Sequence, residues 1–145
     1  MGTKFSGYKN RREPFIILGS DMRGEDKSIE IESSLKSLGL SFKPVLGVYM
    51  GLNGIQLEEK SFVVNCPRNY TFKTLIGLSK HFNQESVLYV DEDRLATLLY
   101  NDGKESELNL GRFKPFTERE FNMLHDRLTL DYTFDGSYYY VTIKE

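Results

Sequence analysis

The chain has 145 residues, 39% hydrophobic and 28% charged, which is the composition of a globular protein long enough for one proper core. Its net charge of −2 argues against a generally basic nucleic-acid binder. No apolar run approaches the roughly 18 residues of a membrane helix, and the first fourteen residues lack a secretory h-region. Cys66 is the only cysteine, so no intramolecular disulfide can form and a cytoplasmic setting is expected.

Residues 1–13 carry Lys4, Lys9, Arg11 and Arg12 before the first acid and read as a flexible basic arm. Residues 14–145 read as a single α+β domain. Phe15-Ile-Ile-Leu18 is a short apolar run of the kind a buried strand shows. Gly19 to Glu25 is a loop, and its glycines give only a weak anion-binding signal without a phosphate-loop lysine. Ile31, Leu35 and Leu38 then form one helical stripe, stopped at Gly39, with Asp26 or Ser28 as cap. Pro44 to Met50 and Ile55 to Val64 make a hairpin around Gly51-Leu-Asn-Gly54.

After Cys66-Pro67, a second helix capped by Asn69 or Thr71 carries Phe72, Leu75, Ile76, Ser79 and Phe82 on one face. Val87–Val90 and Leu95–Tyr100 follow as strands, and Glu107–Leu110 adds a short one after Asn101-Asp-Gly103. Thr117-Glu-Arg-Glu120 fits a capping box, with a third helix expected over 118–127. Asp135-Gly136 then turns a last hairpin between Thr129–Phe134 and Ser137–Ile143. The first ninety residues therefore spell β-α-β-β-α-β. The expected fold is a ferredoxin-like sandwich with a C-terminal β-β-α-β-β extension.

Leu35-x-x-Leu38-Gly39, Glu59-x-Ser61-Phe62-Val63 and Phe82-Asn83-Gln84 carry a resemblance over roughly residues 15–103. The chain there resembles an uncharacterised family of small bacterial proteins, a domain of unknown function. That family's first strand ends in T-A-x-N-P and its later motif reads F-G-Q. Here Leu18-Gly-Ser-Asp21 and Asn83 stand instead, and the resemblance implies a fold companion with no assigned chemistry.

Cys66, His81 and His125 sit in separate elements without paired zinc-ligand spacing, so neither metal nor cofactor is expected. The strand Phe15–Leu18 lacks the aromatic that an RNA-recognition sheet presents, so nucleic acid is an unfavoured partner. The sandwich would gather polar loop ends at one pole, giving Asp21, Arg23, Glu59, Ser61 and Gln84 as ligand-binding candidates, with Ser20, Glu58 and Glu85 beside them. With no histidine there, acid–base work would fall to carboxylates. Tyr138, Tyr139 and Tyr140 alternate between sheet faces, and at least one ring is expected on an exposed face near Tyr132 or Phe134. These five rings are the interface candidates, because rigid aromatic surface is favoured where proteins meet.

The leading expectation is accordingly a non-enzymatic protein-interaction module, an inhibitor or adaptor with a protein partner or a second copy of itself. The alternative is an enzyme binding a small molecule or nucleotide at the polar pole. A nucleic-acid binder using the basic arm ranks third.

Overall fold

A strand buried on both faces needs cover on both, and Phe15 to Leu18 is buried at all four positions. A computed structural model of the chain describes residues 13–22, 25–50, 53–104, 106–124 and 130–144, without the side chains of Asp21, Met22 and Glu25. The basic arm, Arg23, the first half of the Gly51–Gly54 turn and His125 lie outside the described residues.

Among the described residues, ten strands and three helices follow in order: β1 (Phe15–Leu18), β2 (Asp21–Met22), β3 (Glu25–Asp26), α1 (Ser28–Ser37), β4 (Phe42–Met50), β5 (Gln56–Asn65), α2 (Asn69–His81), β6 (Ser86–Val90), β7 (Leu95–Tyr100), β8 (Glu107–Phe116), α3 (Glu118–Asn122), β9 (Tyr132–Phe134) and β10 (Tyr139–Ile143). Eight of the strands close into a barrel ordered β1-β5-β4-β9-β10-β8-β7-β6, with every recorded pairing antiparallel. β2 and β3 form a separate two-stranded ribbon.

The ferredoxin-like sandwich is thereby corrected. Along the arc β6-β1-β5-β4 both longer helices do cover one face, but this arc is not one layer of a sandwich. The C-terminal strands neither extend it nor fold over it; they complete the ring, which removes both sheet edges. Closure depends on strands longer than their local signals. β8 runs ten residues through Pro115, where a strand of four was expected. Ala96 and Thr97 face Gly111 and Asn109, so Leu110 is an extra residue in β8. Such a bulge bends and twists a strand.

Alternation along the strands divides the apolar residues into two cores. Phe15, Ile17, Val45, Val63, Val90, Ala96, Phe113 and Tyr140 pack inside the barrel. Eight strands leave an interior that side chains just fill. Ile16, Leu18, Phe62, Val64 and Val87 face outward, where Ile31 and Leu35 of α1 and Leu75 of α2 cover them. Cys66 belongs to this outer core, and burial pushes its thiol up to about 11. Among the described residues, no helix is long and apolar enough to cross a membrane.

The helix ends are built from local chemistry. Gly39, with φ of 69°, lets Leu40 N–H reach the Leu35 carbonyl at 3.1 Å and Gly39 N–H the Lys36 carbonyl at 3.0 Å. Paired bonds of this kind satisfy carbonyls that the last turn leaves open. α2 ends in the same way with Asn83 in place of glycine, at φ of 55°. Its bonds run from Gln84 N–H to Ser79 O at 2.9 Å and from Asn83 N–H to Lys80 O at 3.0 Å. At α3 the capping box between Thr117 and Glu120 is present in both directions, but the helix ends at Asn122 rather than 127.

Candidate functional site

The ends of β1, β4 and β7 and the starts of β5, β6 and β9 meet at one mouth of the barrel. A cavity of about 890 Å³ opens there. That volume lies in the roughly 300–1,000 Å³ range of small-molecule clefts. Gly19, Tyr49, Glu59, Gln84, Glu85 and Asp131 are among its lining residues, with Lys80 and Asn101 beside them.

Glu59 enters this cavity through strand parity. On β5, residues 59, 61 and 63 share the inward face, so the same alternation that buries Val63 in the barrel aims Glu59 at its mouth. Gly19 makes room for it, and Gly47 makes room for Ser61 beneath it. A Cβ at Gly19 would lie 2.5 Å from Glu59 Oε1 and 2.9 Å from its Cδ. A Cβ at Gly47, the register partner of Glu59, would lie 3.6 Å from Glu59 Cγ and 2.9 Å from Ser61 Oγ. The carboxylate therefore rests directly on backbone at the end of β1, in a slot that only glycine leaves open.

Gln84 arrives from the other side. The left-handed turn at Asn83 carries the chain off α2, and Gln84 Nε2 donates to the Gly19 carbonyl at 2.8 Å. Asn101 Nδ2 locks this corner by donating to Gln84 O at 3.0 Å and Ser79 Oγ at 2.9 Å. Ser20 Oγ donates to the Lys60 carbonyl, which ties β1's exit to β5. Asp131 Oδ1 accepts from Met50 N–H at 3.1 Å and so holds the end of β4. Among the described lining residues, the carboxylates of Glu59, Glu85 and Asp131 outnumber the one lysine, Lys80, a balance that favours a cationic ligand.

Of the ligand-binding candidates, Glu59 and Gln84 line the cavity, and Ser61 is buried just inside it beneath Gly47. The backbone of Asp21 lies in the β2–β3 ribbon, its side chain outside the described residues, as is all of Arg23. Glu58 points away from Glu59 and is exposed. After β1, β2 and β3 pair as a ribbon, and Lys27 N–H donates to Ser20 O at 2.8 Å. Tyr49, Asp131 and Asn101 escaped the sequence reading. Tyr49 shares the face of Val45 and Gly47, a signal available only once that face is known to point inward.

The tyrosine hairpin has a different placement from the one expected. Tyr140 is buried inside the barrel, stacked on Phe113 at 5.2 Å, with its hydroxyl donating to Asp135 Oδ2 at 3.1 Å. Tyr138 packs half-buried against the same core. Tyr139 stacks on Phe121 of α3 at 4.5 Å and touches Tyr132 and Phe134, all half-buried. None of the five rings is exposed: the barrel interior takes Tyr138 and Tyr140, while Phe121 of α3 packs on Tyr132 and Tyr139. Among the described residues no cluster of three or more His, Cys, Asp or Glu is placed to hold a metal ion.

Comparison with known proteins bears on the chemistry. A family model described as the S-Adenosylmethionine lyase family matches residues 20–142. No curated protein matches the chain. The match runs well past the span of the resemblance to uncharacterised bacterial proteins, and its family has a stated activity. It overturns the leading expectation of a non-enzymatic interaction module. An enzyme that takes a small molecule fits better.

Proposed function

The chain belongs to the S-adenosylmethionine lyase family, and from that membership we propose that it cleaves S-adenosylmethionine at the barrel mouth around Glu59. The substrate carries a sulfonium and an ammonium, two positive charges against one carboxylate. A cavity whose described lining carries three carboxylates and one lysine suits that charge pattern. The observation that carries the reading is Glu59 itself, a carboxylate seated against Gly19 at the mouth of a barrel whose core cluster is apolar.

A lyase breaks a carbon–sulfur bond without water or a second substrate. Two routes balance. In one, a base removes a proton from the methionine Cβ as the Cγ–S bond breaks. In the other, the substrate's own carboxylate oxygen attacks Cγ, and the bond's electron pair leaves on sulfur as methylthioadenosine. Among the described lining residues the candidate bases are the carboxylates of Glu59, Glu85 and Asp131, with Lys80 and Tyr49 beside them, and a carboxylate is a poor match for an unactivated C–H. Ring closure needs no protein base, only a folded substrate and a carboxylate stripped of water. We therefore assign Glu59 to the ammonium, which leaves the substrate carboxylate unpaired and free to reach Cγ. Tyr49 adds an aromatic face to the wall.

Incubating the purified chain with S-adenosylmethionine and separating the products tests this. Methylthioadenosine with homoserine lactone is expected, and Glu59→Gln should lower kcat/KM about a hundredfold or more while the fold persists. An unsaturated amino acid in place of the lactone refutes the ring closure. A wild-type chain that leaves S-adenosylmethionine intact refutes the lyase reading.

A further inference from the structure

Gln84 is only 6% exposed, yet it lines the cavity. Its Nε2 donates to the Gly19 carbonyl at 2.8 Å, which fixes the amide's orientation, because a flipped amide would set oxygen against oxygen. Its backbone carbonyl is held by Asn101 Nδ2. Oε1 makes no hydrogen bond to any described residue. Nor is it sealed in the interior, since among the described residues no buried side-chain oxygen or nitrogen lacks a partner. A rigid, nearly buried amide thus keeps one solvent-touching acceptor on a residue that lines the cavity.

We propose that Gln84 Oε1 is a specificity-determining acceptor for a neutral hydrogen-bond donor on the nucleoside half of the ligand. The inference rests on reading that mouth as the S-adenosylmethionine site. The ligand's ammonium is better matched by the carboxylates of Glu59, Glu85 and Asp131 than by a neutral amide. The donors that remain are the adenine amino group and the ribose hydroxyls. Both present the same chemistry to Oε1. The left-handed turn at Asn83 and the Asn101 lock pre-organise the acceptor, so little entropy is lost when the donor arrives.

Titration calorimetry of the full chain with 5′-methylthioadenosine, its inosine counterpart and its 2′- and 3′-deoxy counterparts reads this directly. Wild type should bind methylthioadenosine at least about tenfold more tightly than one of the three analogues. Loss against the inosine form assigns the amino group, and loss against a deoxy form assigns a hydroxyl. Gln84→Met should bring the affected ratio close to one. A ratio within one protein is insensitive to a general loss of stability, and the wild-type arm needs no variant. Equal binding of all four ligands, no binding of methylthioadenosine, or a ratio unchanged in Gln84→Met overturns the proposal. Failed turnover would sink the lyase reading and leave these ratios standing.

Discussion

At both Gly111 and Gly19 another group comes closer than a side chain would permit, and the groups differ in kind. At Gly111 the intruder is backbone: a Cβ there would lie 2.2 Å from the Ile143 carbonyl oxygen and 2.8 Å from Lys144 Cα. Its φ of 92° is also one that side chains rarely adopt. At Gly19 the intruder is the free end of a side chain, the Glu59 carboxylate. One glycine lets β8 bulge against the end of β10 so that the ring can close. The other makes a slot for a charged group at the mouth. The same missing atom serves architecture in the first case and chemistry in the second, and what lies opposite decides which.

This contrast can be broken by substitution. Gly111→Ala should have the largest effect on stability, about 3 kcal/mol or more, since neither the backbone clash nor the φ can relax cheaply. Denaturant midpoints measure it, and a wild-type midpoint would show that the seam is pliable. Gly19→Ala should do the reverse. Its clash is with a flexible carboxylate that can swing aside, so stability should stay within about 0.5 kcal/mol. The displaced Glu59 would then miss its position, and cleavage of S-adenosylmethionine should fall by about a hundredfold. Full activity in Gly19→Ala would mean that the slot does not position the carboxylate.

The smallest effect sharpens the same comparison by asking how dry the helix-covered wall is beside the polar mouth. Burial raises the Cys66 thiol from 9.0 to about 11. The unfolded thiol ionises from the lower value while the folded one keeps its proton. The unfolded state therefore binds fewer protons between these values, and stability falls as pH rises through that window. Tyr89, raised first by burial and then by nearby Cys66, Asp91 and Glu92, tilts the same way. The melting temperature of wild type should thus drop more steeply than that of Cys66→Ala from pH 9 to 11. Parallel curves would show that water reaches this wall.

Much of the element list was legible. Leu95–Tyr100 matches β7 in full, and the apolar stripes through Ile31 and Leu35 and through Phe72, Leu75 and Ile76 lie within the two longer helices. The caps expected at Ser28, Asn69 and Thr71 are not formed, and Lys27 and Arg68 stand at the N-caps. These helices are announced instead by a periodic stripe and a left-handed stop. Asp135 shows how such a signal works, since its Oδ1 accepts from both Ser137 and Tyr138 N–H at 2.8 Å and turns the chain by itself. The ligand-binding candidates were only partly legible. Glu59 and Gln84 stood out as polar residues near loop ends, but Tyr49 and Asp131 read as ordinary strand residues.

What the sequence determined alone is what short-range energies can settle: where helices start and stop, which turns are tight, and which residues alternate. Only the tertiary structure decided that β10 would pair with β8 and β9 with β4, so that a sheet became a ring. No local chemistry names a partner for a strand so distant in the chain, and several registers satisfy the same pattern of alternation. A slip of one residue on β5 would turn Glu59 away from the cavity and put Lys60 or Glu58 in its place. The bond from Gln84 to Gly19, joining residues 65 apart, exists only after that choice is made.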